Sequence, residues 1–136
     1  MSSVLLAPPP QPRLHVIDFE FSHLGHRAVD LGQLIGDLLE NVLLAGPEIS
    51  TRIPYKVMIE AFAKGYGALS DDMAYRVIVH AGVHAVNWCA RHPGAEISEQ
   101  VALMMREAVE VIVRAGRRER EWFEGKLLGC LLATPT

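Results

Sequence analysis

Ala28-Val29-Asp30-Leu31-Gly32-Gln33-Leu34-Ile35-Gly36-Asp37-Leu38-Leu39-Glu40-Asn41-Val42 is the stretch that decides the fold. Within it Val29, Leu31, Leu34, Ile35, Leu38, Leu39 and Val42 recur at three- and four-residue intervals. Side chains at that spacing share one face of an α-helix, so a long amphipathic helix is expected here. Gly46-Pro47 is expected to stop it, because proline has no N–H to continue the ladder.

Downstream the same period returns. Pro54 fits the first turn of a second helix, whose expected apolar positions are Val57, Met58, Ala61 and Phe62, running toward Tyr66. Ser70 is the expected N-cap of a third, with Asp71 and Asp72 at its positive end. That helix carries Val77, Ile78, Ala81, Val83, His84, Ala85 and Trp88, and His92-Pro93-Gly94 ends it. Ser98 caps a fourth through Leu103, Met104, Ala108, Val111 and Ile112, with Arg114 to Arg120 as its basic continuation. The tail from Trp122 to Leu128 reads as another short helical or packed segment.

Upstream the pattern differs. Pro8, Pro9, Pro10 and Pro12 exclude a helix or strand from that connector, leaving Val4-Leu5-Leu6 to pair with Leu14-His15-Val16-Ile17-Asp18 as a small hairpin. Two strands alone are marginal and need a helix or another domain against one face. The fold class expected is mainly α, formally α+β: a single domain over residues 1–136, helical, with a short N-terminal β-hairpin.

Composition narrows the function classes. With 136 residues, half of them hydrophobic, the chain is long and apolar enough for one packed core. Thirteen basic against sixteen acidic side chains give no electrostatic argument for nucleic acid. Val4 to Ala7 is too short and too poorly flanked for a signal peptide, and no run reaches the roughly 18 to 20 apolar residues that span a bilayer. Cys89 and Cys130 lack metal-ligand spacing. The expectation is a soluble cytoplasmic protein with no membrane or nucleic-acid partner.

The chemistry-bearing residues cluster near the hairpin. Asp18 and Glu20 alternate with Phe19 and Phe21, and in an extended segment residues two apart face the same side. Both carboxylates then meet one hard cation such as magnesium, or stay solvated or cap a helix. His23 and His26 flank Gly25 and stand either as acid-base groups with Asp18 or as loop residues, one capping the next helix. His80 and His84 are one helical turn apart without a third zinc ligand, so they line the central helix, in the core or facing a substrate groove. Arg114, Arg117, Arg118 and Arg120 are offset by Glu119 and Glu121 and are expected to solvate a helix end, with a phosphate or acidic-partner site as the alternative.

Val16-Ile17-Asp18-Phe19-Glu20, then Gly25 and Asp30-Leu31-Gly32-Gln33, resembles the aminoglycoside phosphotransferase and choline-kinase-like family of small-molecule kinases, particularly its fungal-type branch. His80-Ala81-Gly82-Val83-His84, Trp88 with Arg91 and Pro93-Gly94, and Trp122-Phe123-Glu124-Gly125 look like the same branch. The resemblance implies the helical C-terminal subdomain of a kinase-like fold. It further implies that Asp18 is the aspartate bridging magnesium to ATP phosphates, that Glu20 assists through a second metal or a water, and that Asp30 braces the catalytic loop. The helices after Asp-Leu-Gly form the acceptor wall in that family, which makes His84, Asn87 and Trp88 candidates for a substrate pocket.

The departures matter as much. In the family a His-Gly-Asp segment and a following Asn precede a Val/Ile-Leu-Leu run, whereas here Ser2-Ser3-Val4-Leu5-Leu6 stands in that place and the aspartate would fall before Met1. The nucleotide-binding lobe is expected to be absent, so a truncated domain or pseudokinase not competent alone for phosphoryl transfer is the first expectation, with ATP bound only if the missing lobe is supplied. Two alternatives stand beside it. One is a repurposed enzyme of a natural-product pathway, using Asp18, His23, His26 or His84 on a small-molecule ligand. The other is a non-catalytic module that covers the exposed face by homodimerisation or with a partner protein.

Overall fold

The computed structural model describes residues 4–10, 12–17, 24–50 and 54–132. Strands β1 (Val4–Leu6) and β2 (Leu14–Val16) pair antiparallel, with Val4 opposite Val16 and Leu6 opposite Leu14. The Ala7 N–H donates to the Arg13 carbonyl at 2.9 Å and closes the proline-rich connector. Among the described residues six α-helices follow: α1 (Arg27–Ser50), α2 (Tyr55–Tyr66), α3 (Asp71–Val86), α4 (Trp88–Arg91), α5 (Glu99–Gly116) and α6 (Arg120–Phe123), then a 3-10 segment, Leu127–Leu131. The protein is mainly helical, as the periodicity predicts.

α3 is the centre of the body. Its Ala74, Val77, Ile78, Ala81 and Ala85 are buried, and it packs on α1 along one side and on α5 along another. From α1 come Ala28, Leu31, Ile35 and Leu39, from α5 Val101, Met104, Ala108, Val111 and Ala115, each a stripe at helical spacing. Burial of such a side chain is worth about 1.5 to 3 kcal/mol for the larger ones, so this three-helix contact carries most of the favourable term.

The α1–α3 contact is possible only because two positions on α1 have no side chain. A Cβ on Gly36 would sit 2.6 Å from the Cβ of His84 and 3.0 Å from the Ala81 carbonyl oxygen, and one on Gly32 would collide with the Cβ of His80. The two helices therefore approach until backbone meets backbone. Gly82 plays the same part toward α5, where a Cβ would lie 3.0 Å from the Ala108 carbonyl oxygen.

Both sequence-predicted caps form. Ser70 Oγ accepts from the Met73 N–H and Ser98 Oγ from the Val101 N–H, each at 3.3 Å. Four expectations are corrected. The third helix does not run to His92-Pro93-Gly94: α3 ends at Val86 with Asn87 as its C-cap, and Trp88–Arg91 is a separate turn. Gly46-Pro47 does not stop α1, which runs on to Ser50. Proline at 47 leaves the Leu43 carbonyl without its helical donor, and the side-chain amide of Gln100 supplies one at 2.6 Å, so the interruption is satisfied from α5. On α2 the buried residue is Ile59, packed with Phe62 and Ala63, while Val57 and Met58 face outward. The stretch Arg114 to Arg120 is not one helix: α5 ends at Gly116, and Arg118 takes a left-handed turn at φ 57°.

That turn is held in place. The Tyr75 hydroxyl donates to the Arg118 carbonyl at 3.2 Å, Arg118 pairs with Asp72, and Arg120 pairs with Asp71 at 2.5 Å. The C-terminal segment is thereby tied to the start of α3, and Phe123, Leu128 and Leu131 close the core beside Ile59.

Replacing Gly36 with alanine tests the close approach. Alanine favours a helix by about 1 kcal/mol over glycine, yet overpacking against fixed backbone costs roughly 1 to 3 kcal/mol or more. Urea titration of G36A is expected to show a net loss of stability with the helical spectrum retained; a gain would mean that α1 and α3 are not in this contact.

Candidate functional site

Of the residues singled out around the hairpin, Asp18, Glu20 and His23 lie outside the described residues. β2 ends at Val16, two positions before Asp18 in the sequence. His26 Nδ1 accepts from the Ala28 N–H at 3.2 Å and the His26 carbonyl accepts from Val29 at 2.9 Å, so His26 caps α1. Asp30 is exposed in the first turn of α1, where a carboxylate is favoured by the positive helix end.

His84 is the candidate that the fold surrounds with charge. It leaves α3 at the notch made by Gly36, and its side chain is only 13% exposed. Nε2 donates to Asp37 Oδ1 at 2.8 Å and stands 4.0 Å from Glu40 Oε2. Arg91, from α4, pairs with Glu40 and donates to the His84 carbonyl at 2.9 Å. Four residues from three helices thus form one hydrogen-bonded cluster. The bond from His84 holds the Asp37 carboxyl below the ordinary carboxylate value, against the upward pull of partial burial, and the charges of His84 and Arg91 act the same way.

Chemically this is an oriented imidazole-carboxylate pair with a second carboxylate neutralised by a guanidinium. The sequence reading named His84 and missed Asp37, Glu40 and Arg91. The available signal was local: Asp37 follows Gly36 and precedes Glu40 by three positions, so both carboxylates leave α1 beside the face that bears the apolar stripe.

The other two expected pocket residues go elsewhere. Asn87 is exposed at the corner between α3 and α4, its carbonyl accepting the N–H groups of Ala90 and Arg91. Trp88 stacks on His92, ring centroids 4.5 Å apart, and His92 Nδ1 donates to the Trp88 carbonyl at 2.9 Å. His84, Asn87 and Trp88 are joined by no side-chain bond or ring contact among the described residues.

The basic cluster is internally matched. Arg114 pairs with Glu110 at 2.7 Å and Glu119 at 2.5 Å, Arg117 with Glu119 at 3.8 Å, and Arg118 and Arg120 with the aspartates of α3. Cys130 donates to the Leu127 carbonyl, and burial pushes its thiol up, away from a thiolate nucleophile. Among the described residues no three His, Cys, Asp or Glu side chains gather as a metal would require, and no helix is long and apolar enough to cross a membrane.

No family model, no curated protein and no solved structure matches this chain.

A group whose carboxyl is acidified by folding stabilises the fold above its unfolded pKa of about 3.9 and loses that contribution as pH falls. The stability difference between wild type and D37N is therefore expected to shrink between about pH 5 and pH 3. Thermal unfolding across that range checks this, and a difference independent of pH would remove Asp37 from the acid response.

Proposed function

We propose that the chain is the helical, acceptor-side part of an aminoglycoside-phosphotransferase-like kinase fold, with Asp18 and Glu20 as its magnesium ligands, and that it does not transfer a phosphoryl group by itself. The observation that carries this reading is the order of the pieces: an antiparallel strand pair leads directly into Asp18, and Asp30-Leu31-Gly32 then opens the long helix that packs on the body. Two carboxylates at alternate positions are a hard-oxygen donor set, which suits magnesium and unsuits soft metals. Magnesium bound there would neutralise phosphate charge. The chain's own contribution is to hold the two carboxylates, with Asp30 at the start of α1 as the brace of the catalytic loop and His26 fixing where that helix begins.

Phosphoryl transfer needs several converging groups, and one carboxylate pair does not assemble them. ATP would therefore bind productively only with a nucleotide lobe supplied by other residues.

One observation favours a second reading, a non-catalytic binding or dimerisation module. Leu14 and Val16 of β2 are 73% and 54% exposed, and Leu24 is fully exposed. Apolar strand residues open on this scale suit a surface that another body covers.

Manganese binding followed by electron paramagnetic resonance separates the two. With manganese alone, wild type is expected to bind the ion and D18N to bind it at least about tenfold more weakly, a loss matching one charged ligand. Equal binding by both proteins, or turnover of ATP onto an amino alcohol by the chain alone, would contradict the proposal.

A further inference from the structure

A slot of about 170 Å³ opens between the second half of α1, the middle of α5 and the C-terminal segment. Its floor is Leu39, Leu43, Val111, Phe123 and Leu128, all apolar. The slot is open to solvent on one side and has room for a single apolar group against this floor.

The rim has the opposite character. Glu107 stands on one side, exposed and without an ion pair among the described residues, whereas its neighbour one turn-face away, Glu110, is taken by Arg114. Lys126 stands on another side, its ammonium 3.1 Å from the centroid of the Trp122 ring, which fixes the charge at the mouth. Glu107 and Lys126 line the same small opening without pairing with each other. A purely apolar ligand would use the floor and neither charge; a ligand with one charge would use half the rim.

We propose that this slot binds an α-amino acid with an apolar side chain of leucine to phenylalanine size. The ligand's ammonium meets Glu107, its carboxylate meets Lys126, and its side chain enters the floor beneath Trp122. The site lies along α1 from Asp30 and does not depend on the magnesium reading.

Trp122 supplies the readout. The chain has two tryptophans, so W88F leaves Trp122 as the sole indole beside the slot. L-phenylalanine is expected to change its emission saturably, with a Kd on the order of 1 mM for so small a ligand. Phenethylamine and 3-phenylpropionate, each lacking one charge, are expected to bind about tenfold more weakly, and glycine not to bind. E107Q, at an exposed position, should weaken L-phenylalanine by about tenfold while leaving 3-phenylpropionate unchanged. Should W88F fail to fold, the same titrations are read on the backbone amides of Val111 and Leu128 in wild type by nuclear magnetic resonance. Absence of a saturable change with L-phenylalanine, equal affinity for all three aromatic probes, or an E107Q protein that binds L-phenylalanine as well as wild type would each overturn the proposal.

Discussion

The rest of the molecule depends on how closely α1 and α3 approach. Gly32 and Gly36 expose α1 backbone on one face, and α3 presents His80 and His84 to those gaps. Interhelix distance is set by side-chain size at the contact, so glycine at two successive turns brings the axes nearer than leucine would allow. The close contact lets Leu31, Ile35 and Leu39 reach between Ala74, Val77, Ile78 and Ala81. It also determines the polar cluster: with the His84 Cβ against Gly36, the imidazole has Asp37 and Glu40 within reach and little solvent. Packing and electrostatics at this interface are consequences of the same two missing side chains.

Around that pair the other parts are attached by specific polar links as well as by burial. α5 is joined to α1 through Gln100 on the Leu43 carbonyl, and the C-terminal turn is joined to α3 through Asp71, Asp72 and Tyr75. The exposed ion pairs add little energy individually, but together they fix the left-handed turn at Arg118 and with it the position of Phe123 in the core. Among the described residues β2 has no comparable attachment. It presents Leu14 and Val16 to solvent, and its pairing with β1 is its principal contact, so what it contributes lies in where it delivers the chain.

Much of this was legible in the sequence because it follows from local rules. The long helix, both serine caps and the strand pair across the prolines are periodicity and capping chemistry, which need no knowledge of distant residues. The errors came where tertiary partners override a local signal. Pro47 removes the donor that the Leu43 carbonyl would use, and its replacement, Gln100, is more than fifty positions away. On α2, Val57 and Met58 look as apolar as Ile59, and only the arrangement of α1 and the C-terminal segment selects Ile59 for the core. The site divides in the same manner. His84 stood out as a histidine among apolar neighbours, whereas Asp37, Glu40 and Arg91 become partners only once three helices are placed. The slot over Val111 and Phe123 had no sequence signature, since its walls come from α1, α5, α6 and the 3-10 segment.

Native-state hydrogen exchange tests the central claim most directly. If the α1–α3 contact is the common support, the amides from Ile35 to Leu39 and from Val77 to Ala81 share one opening free energy equal to that of global unfolding, while β2 opens at far lower cost. Exchange of the α1 amides at a distinctly lower free energy than those of α3, with α3 remaining protected, would contradict the account.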